Sequence, residues 1–268
     1  MHQQATTEKL ESRAKSASFK SRIRPETAAG GFSRDDGTIH FYTRVNALLK
    51  PEMTVLEVGA GRGSGLLGEE TFAKRLRRLQ GKVRKVIGLD VDSAIEHHPF
   101  LDERHVISPT DAYPVADGSV DLVVSDWVIE HVANPEHMAH ELMRVLKPNG
   151  WFCARTPNRW GYGGMITSLV PNAWHDAILR RVMPERWEED SFPTAYMLNS
   201  FGQLKRHFPA AQWEHFTYTF CPTPKYHGNK GLLFGLIEFY QNVMPNGLKT
   251  DLMIFVRKRG EADAGEQK

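Results

Sequence analysis

A glycine-rich turn that follows a β-rich run is the first feature of this sequence with the residue types for chemistry. The run Val55-Leu-Glu-Val-Gly-Ala-Gly-Arg-Gly-Ser-Gly65 places Gly59, Gly61 and Gly63 directly after the predicted strand. Glycines let the backbone approach a ligand closely, and free amides at a helix start attract an anion. The spacing therefore predicts a ligand site at this turn, with Ala60 as one of its contacts.

Glu57 precedes the first of these glycines by two residues and distinguishes between two kinds of ligand. A carboxylate there suits an ammonium group, whereas it would repel the pyrophosphate of a dinucleotide. A GxGxxG pattern occurs at Gly63, Gly65 and Gly68, but alone it is weak evidence for a dinucleotide. The remaining alternative is a glycine turn with no ligand.

Asp90 ends the next predicted strand, which starts at Lys85. A carboxylate in that position can accept both hydroxyls of a ribose, and both nucleotide-binding classes use this device. Asp92 is the alternative acid, in which case Val91 offers an apolar face to an adenine ring. Asp90 therefore indicates a nucleoside-containing cofactor without distinguishing its class.

A third segment, which starts at Asp111, distinguishes the classes through a family resemblance. Residues 53–155 resemble the class I S-adenosylmethionine-dependent methyltransferases, in the broad subgroup of quinone, sugar and natural-product enzymes. The resemblance rests on residues 111–125, Ile129-Glu-His-Val132, Pro135, Glu141 and Arg144-Val-Leu-Lys-Pro-Asn-Gly150. It implies that Asp111 binds the adenine amino group, that the Ala112 amide contacts the ring, and that the methionine end of S-adenosylmethionine lies near the glycine turn.

Ser125 and Trp127, at the end of the fourth predicted strand, complete the predicted cofactor site. Trp127 is expected to line the methionine end of the cofactor. Some family members bind a divalent metal through a Glu-x-x-Glu-His pattern. Trp127 stands at the first position of that pattern here, so no metal is predicted.

Glu130 and His131 follow the same strand, at the edge where doubly wound sheets bind ligands. In methyl transfer the cofactor supplies the activated carbon and the protein supplies alignment. An alcohol or phenol acceptor also benefits from a base, and the resemblance suggests His131, beside Glu130, for that role. The equal alternative is that both side chains only fix the loop by hydrogen bonds.

Strands alternate with helices along most of the chain, which predicts an α/β fold with a mostly parallel sheet and helices on both faces. The predicted strands are 53–58, 85–90, 104–108, 120–125, 151–155, 212–220 and 251–257, and the predicted helices are 38–49, 64–79, 135–146 and 231–243. The family resemblance implies a Rossmann-like, seven-stranded sheet with one antiparallel strand.

The predicted methyltransferase domain covers residues 37–258, between a mobile segment 1–36 and a mobile tail 259–268. Residues 157–208 are rich in Pro, Trp, Arg and His and interrupt the alternation of strands and helices. They predict a helical lid that shapes an acceptor pocket, with His175 and Tyr196 as acceptor-binding residues.

The composition indicates which classes of binding partner and which cellular compartment are expected. The formal net charge of +2 predicts no strongly charged partner, so nucleic acid is not expected. The two cysteines have no metal spacing, which favours a reducing, cytoplasmic compartment. No apolar run reaches the roughly 18 residues of a membrane span.

The sequence therefore predicts transfer of a methyl group from S-adenosylmethionine to a hydroxyl of a small molecule or glycan. The alternatives are N- or C-methylation, a non-catalytic cofactor-binding protein of the same fold, and an NAD-dependent oxidoreductase. Glu57 and the segment from Asp111 disfavour the oxidoreductase. Nothing in the sequence predicts the oligomeric state.

Overall fold

An eight-stranded mixed sheet organises this protein, whose computed structural model describes residues 21–161, 193–224 and 231–260. The strands are β1 Thr54–Val58, β2 Lys85–Asp90, β3 Glu103–Val106, β4 Val120–Asp126, β5 Leu146–Pro157, β6 Trp213–His215, β7 Tyr218–Phe220 and β8 Asp251–Lys258. Their order is β3-β2-β1-β4-β5-β8-β6, and β7 also pairs with β8. Strands β1 to β5 are mutually parallel, and β8 is antiparallel to β5, β6 and β7. The predicted mostly parallel sheet with one antiparallel strand is thus confirmed.

The strand count exceeds the predicted seven because the expected strand 212–220 is divided into β6 and β7. Its register against β8 continues across the break, from Trp213 opposite Lys258 to Phe220 opposite Asp251. Between the two pieces, the Phe216 amide donates to the Phe255 carbonyl at 2.8 Å. The two short strands are therefore one interrupted strand of the predicted sheet.

The described helices are α1 Gly37–Leu48, α2 Phe72–Arg77, α3 Pro135–Val145, α4 Phe201–His207 and α5 Gly231–Val243. The prediction of one helix over 64–79 is wrong. A 3₁₀ turn at Ser64–Leu66 and the short α2 replace it. The chain between them passes through Gly68 at φ +81°, a left-handed conformation that a continuous helix does not contain. The caps of α1 and α3 are regular: Asp36 accepts from Ile39, and Asn134 accepts from His137.

The sheet has a buried apolar cluster on each face, because successive strand residues point to opposite sides. Leu56 packs in the cluster that contains Leu142 of α3, and Val55 packs in the one that contains Phe41 of α1. By the same alternation, Glu57 shares the α1 face with Val55. The strand pattern thus decides that the acidic residue of β1 faces α1.

Residues just before the predicted domain start at 37 pack against the later part of the chain. Arg24 is 5% exposed and pairs with Asp35 at 2.8 Å and with Glu238 of α5 at 2.5 Å. The Thr223 amide donates to the Asp35 carbonyl at 3.1 Å. Packing therefore begins before residue 37, while the domain boundaries stay predictions.

Among the described helices, none combines the length and apolar character needed to cross a bilayer. Of the predicted lid 157–208, only residues 157–161 and 193–208 are described, and they include α4.

Candidate active site

The glycine turn after β1 is held against the end of β2 by backbone hydrogen bonds. The amides of Gly59 and Ala60 donate to the Leu89 carbonyl at 2.7 and 3.2 Å. Gly59, Gly61 and Gly63 have φ values of +75°, +60° and +67°, which side-chain-bearing residues adopt only with strain. A Cβ atom on Gly59 would lie 2.3 Å from a methyl carbon of Val128, so both conformation and space require glycine there.

His98 forms a neutral wall beside the same turn. A Cβ atom on Gly63 would lie 2.5 Å from the His98 ring, which is 3% exposed. Desolvation, together with the nearby Arg104 and Arg77, lowers the pKa of His98 to about 4. The Phe100 amide donates to Nδ1 of the neutral ring at 3.2 Å. Sequence reasoning missed His98, because its contact with the turn joins residues 35 positions apart.

A cavity opens between this turn, α1 and the carboxyl end of β4. Its lining residues are Tyr42, Glu57, Val58, Gly59, Ala60, Gly63, Leu66, Arg77, His98, Val124 and Asp126. The structure thus brings together four of the predicted cofactor-binding residues: Glu57, Gly59, Ala60 and Gly63. Tyr42, Arg77 and Asp126 are further polar lining residues that sequence reasoning did not identify.

The cavity carries groups of both signs of charge. Desolvation and, to a smaller extent, the nearby Asp126 outweigh the opposing effect of Arg77 and raise the pKa of Glu57 to about 7. Nε of Arg77 is buried and has no hydrogen-bond partner among the described residues. Because a buried donor without a partner is costly, an anionic ligand group at Arg77 would stabilise this arrangement. The wall therefore suits a ligand that carries both an ammonium and a carboxylate.

Arg155 of β5 fixes the carboxylate of Asp126 in the cavity wall. Its Nε and Nη2 donate to the two Asp126 oxygens at 2.8 and 2.9 Å, a bidentate pair that restrains orientation. Its Nη1 also donates to Thr38 of α1 at 3.2 Å, and its guanidinium lies 5.2 Å from the centre of the Trp127 ring. This pair joins β4, β5 and the start of α1 at one point of the sheet edge.

Asp90 also lies at this edge, but backbone amides engage its carboxylate. It accepts from the Gly61 amide at 2.7 Å and from the Asp92 amide at 2.8 Å. Each carboxylate oxygen can accept more than one hydrogen bond, so the arrangement still permits ribose hydroxyls as donors. Asp92 instead caps a 3₁₀ turn by accepting from the Ala94 amide at 2.8 Å, which disfavours it as the alternative ribose ligand.

The predicted adenine contacts lie on the surface rather than among the cavity-lining residues. Val91 is 48% exposed, and Asp111 and Ala112 are also exposed. The Asp111 carboxylate accepts from the Ser108 amide at 2.8 Å. Nearby, the Ile107 amide donates to the Asp90 carbonyl at 2.9 Å, so this loop starts beside Asp90. The adenine roles of these residues stay predictions.

Ser125 and Trp127 are not among the residues that line the cavity, and their cofactor roles stay predictions. Val124 and Asp126 line the cavity, so the alternation along β4 turns the Ser125 side chain to the opposite face of the sheet. There its Oγ is buried with no hydrogen-bond partner among the described residues. Trp127 lies directly after the cavity-lining Asp126 and adopts φ +59°, a strained conformation for a residue with a side chain.

Glu130 forms hydrogen bonds that hold residues 195–196 of the predicted lid. Thr156 donates to its carboxylate at 2.9 Å, and its carbonyl accepts from the amides of Ala195 and Tyr196 at 2.7 and 3.1 Å. Asn199 donates to the same Thr156 hydroxyl at 2.7 Å. Desolvation raises the pKa of Glu130 to about 7. These contacts favour the hypothesis that Glu130 fixes the loop, and they also show that Tyr196 meets Glu130 through its backbone.

The backbone carbonyl of Pro193 holds the His131 ring. Its Nδ1 lies 3.0 Å from the carbonyl oxygen of Pro193. Because a carbonyl only accepts hydrogen bonds, Nδ1 carries the proton, and in the neutral ring the lone pair is on Nε2. The contact orients the ring and leaves both predicted roles of His131 open. The other predicted acceptor-binding residue, His175, lies outside the described residues.

The part of the chain that the structure describes contains no cluster of three or more potential metal ligands.

The family model and the relatives that match this chain are all described as methyltransferases. Residues 56–154 match the family described as Methyltransferase domain. The chain is 39% identical over 123 residues to a "Probable S-adenosylmethionine-dependent methyltransferase" of Mycolicibacterium smegmatis, covering 44% of this chain and 43% of that protein. It is 51% identical over 104 residues to an uncharacterized methyltransferase of Mycolicibacterium gilvum, covering 37% and 36%. The matched part thus spans less than half the length of these relatives.

One solved structure has a similar fold. A chain of the complex between the Haloferax volcanii Trm112 methyltransferase activator and a methyltransferase superposes with a TM-score of 0.50 at 18% identity. That superposition covers 84% of this chain and 90% of the other, so the likeness extends beyond the matched family segment. At this identity the likeness concerns the fold alone.

Proposed function

We propose that this chain, which carries a class I S-adenosylmethionine-dependent methyltransferase domain, transfers a methyl group from that cofactor to a small-molecule or glycan acceptor. The observation that carries the proposal is the cavity beside the glycine turn, with Glu57 and Arg77 in one wall. The alignments with relatives cover less than half of the chain, so the activity of the whole protein is our proposal.

The charges of the cavity fit the methionine end of the cofactor, which carries an ammonium and a carboxylate. Glu57 attracts the ammonium, and approach of that cation favours the ionised form of Glu57. The buried Nε of Arg77 donates to the carboxylate. When bound, S-adenosylmethionine supplies a methyl carbon that its sulfonium activates for displacement. A pyrophosphate in the same place would meet two carboxylates, Glu57 and Asp126.

On the acceptor side we assign different tasks to the two neighbouring residues. Glu130 positions the loop and residues 195–196 through the hydrogen bonds described above. His131 takes the proton of an acceptor hydroxyl on Nε2, which makes the reaction an O-methylation. The Pro193 carbonyl keeps Nδ1 protonated and so supports this division. Transfer to nitrogen or carbon remains the alternative, in which His131 only fixes the loop.

Ligand binding tests the proposal before any acceptor is known. S-adenosylhomocysteine at about 100 times its Kd stabilises the folded state by about 2.7 kcal/mol, which raises Tm measurably. NAD and NADP are the matched controls, since both also contain adenosine. Stabilisation by NAD with none by S-adenosylhomocysteine would overturn the methyltransferase proposal. Screening of labelled methyl transfer into sugars and phenols then identifies the acceptor.

The free state of the two cysteines supports a proposal about the cellular compartment of the protein. Cys153 and Cys221 are both free, and Cys153 is buried in the sheet. Free thiols persist in reducing compartments, which supports the proposed cytoplasmic location.

A further inference from the structure

Helix α5 buries Phe234 and Gln241 on one side and exposes large apolar side chains on the other, where a helix that packs on a core carries polar residues. Leu232, Leu236, Phe239 and Val243 are 81%, 59%, 66% and 60% exposed, whereas Gln241 is 7% exposed. A single exposed apolar residue needs no explanation, but four on one helix do.

These four residues form one continuous stripe. Their positions correspond to i, i+4, i+7 and i+11, which lie on one face of an α-helix. At about 1.5 Å per residue, the stripe is roughly 16 Å long. We call these four residues the α5 stripe. Its length is that of a helix that lies along an apolar surface rather than of a point contact.

The α5 stripe belongs to the sheet edge that carries the cavity. Phe220 of β7 and Pro157 of β5 both pair with Asp251, so the chain leaves and re-enters the sheet at one point. Asn158 donates to the carbonyls of Gly247 and Lys249 at 2.9 and 2.7 Å and ties the end of this excursion to β5. The carboxyl end of β5 is also where Arg155 meets Asp126 of the cavity wall. The stripe therefore lies on the ligand-binding side of the sheet.

The charges around the α5 stripe decide what kind of partner it suits. Residues 157–161 and 231–250 contain three charged side chains: Arg159, Glu238 and Lys249. The acid is neutralised by the ion pair of Glu238 with Arg24. Arg159 and Trp160 are exposed, Trp160 by 55%, and Lys249 is half-buried; the Asn158 hydrogen bonds join these two segments just after the end of α5. An apolar stripe followed by cations and an indole beyond one end of its helix has the composition of a segment that lies in a membrane interface.

We propose that α5 docks this protein on lipid bilayers that contain anionic lipid, with the α5 stripe at the acyl boundary and with Arg159 and Lys249 at the headgroups. Docking in this orientation turns the ligand-binding edge of the sheet toward the membrane. Access of lipid-dissolved acceptors to the site is a consequence that rests on the proposed function. The docking itself is independent of methyl transfer.

Co-sedimentation with vesicles tests the docking. The full chain is expected to sediment with vesicles of phosphatidylcholine and phosphatidylglycerol in equal parts, and less with phosphatidylcholine alone. Replacing two stripe residues, Leu236→Asp with Phe239→Asp, should lower the partition coefficient at least about tenfold, because buried apolar surface is lost. Arg159→Gln with Lys249→Gln should reduce the preference for the anionic vesicles.

The control is Phe216→Asp, since Phe216 is 50% exposed beside Trp151, away from the ligand-binding edge. It should sediment like the unmodified protein. All variants are checked for Tm and for S-adenosylhomocysteine binding, so misfolding and failure of the cofactor proposal are recognised separately. The docking proposal is overturned if the unmodified protein binds neither vesicle, or if the Leu236/Phe239 variant binds equally well. It is also overturned if ultracentrifugation shows a vesicle-free dimer that this variant dissociates, since a second copy then covers the stripe.

Discussion

The cofactor half and the acceptor half of the ligand-binding edge are built by different kinds of contact. Around β1 and β2 most of these contacts are backbone hydrogen bonds, such as those from the amides of Gly59 and Ala60 to the Leu89 carbonyl. Around β5 the contacts are between side chains, as in the chain from Asn199 through Thr156 to Glu130. A backbone-built site is sensitive to any added Cβ atom, whereas a side-chain-built site changes one contact at a time. We therefore expect the two halves to respond differently to substitution.

The largest expected effect is on turnover, from His131→Ala in the acceptor half. Loss of a positioned base lowers turnover by roughly 10²–10⁴-fold, while S-adenosylhomocysteine affinity should stay unchanged. The control is His140→Ala, because the His140 side chain is 76% exposed on α3. Steady-state kinetics with an acceptor found by screening, together with calorimetry, provides the measurement. Near-normal turnover in a stable His131→Ala protein would leave His131 only the loop-fixing role.

The next largest effect is expected in the cofactor half, from Gly59→Ala. The added Cβ meets Val128 in a left-handed backbone, so S-adenosylhomocysteine affinity should fall by roughly a hundredfold, equivalent to about 3 kcal/mol. Gly118→Ala is the matched control, since Gly118 has φ +57° with nothing within 4 Å of the added atom. It should cost only about 1–2 kcal/mol of stability and no affinity. Equal affinity losses in both variants would contradict the close-approach argument.

Arg77→Met separates the methionine end of the cofactor from its nucleoside. A charged hydrogen bond contributes about 1.5–3 kcal/mol, so S-adenosylhomocysteine affinity should fall roughly 10- to 100-fold. Affinity for 5′-methylthioadenosine should not change, because that ligand lacks the ammonium and the carboxylate. Arg75→Met, at an exposed position of the same helix, is the control. Parallel losses for both ligands in calorimetry would show that Arg77 acts on the fold rather than on the carboxylate.

The smallest effect is a pH dependence that compares two buried carboxyls. In the free protein, burial raises the pKa of both Glu57 and Glu130 from 4.5 to about 7. A raised carboxyl pKa means that stability is lost as pH rises through that range, because the folded state disfavours the ionised form. At pH values above about 7, Glu57→Gln and Glu130→Gln should therefore each raise Tm, because each increases the free energy of unfolding by about 1–3 kcal/mol. Near pH 4.5 both variants should change Tm little.

Cofactor binding should distinguish these two variants. S-adenosylhomocysteine affinity of the unmodified protein should rise with pH up to about 7, because the ligand ammonium favours ionised Glu57. Glu57→Gln should abolish that rise, whereas Glu130→Gln should keep it. A pH profile that is equally flat in both variants would remove Glu57 from the proposed ammonium site.

Much of the fold could be predicted from the sequence, because its signals are local. Short β-rich runs next to turn residues indicated β1, β2 and β4, and Pro135 with Lys147–Gly150 indicated the bounds of α3. The glycine turn was predicted because left-handed conformations at Gly59, Gly61 and Gly63 demand that residue type. Where a local signal was incomplete, the prediction failed, as in the single helix expected over 64–79.

The sequence by itself determined the strand–turn unit around Glu57, since alternation and φ depend on neighbouring residues. Only the tertiary structure decided that Arg77 and His98 line the same cavity, that Arg155 holds Asp126, and that the α5 stripe is exposed. These arrangements join side chains that are far apart in the chain, such as Arg24 and Glu238, which are 214 positions apart. Local periodicity contains no information on such pairs, because the packing of the whole sheet edge selects which distant groups meet.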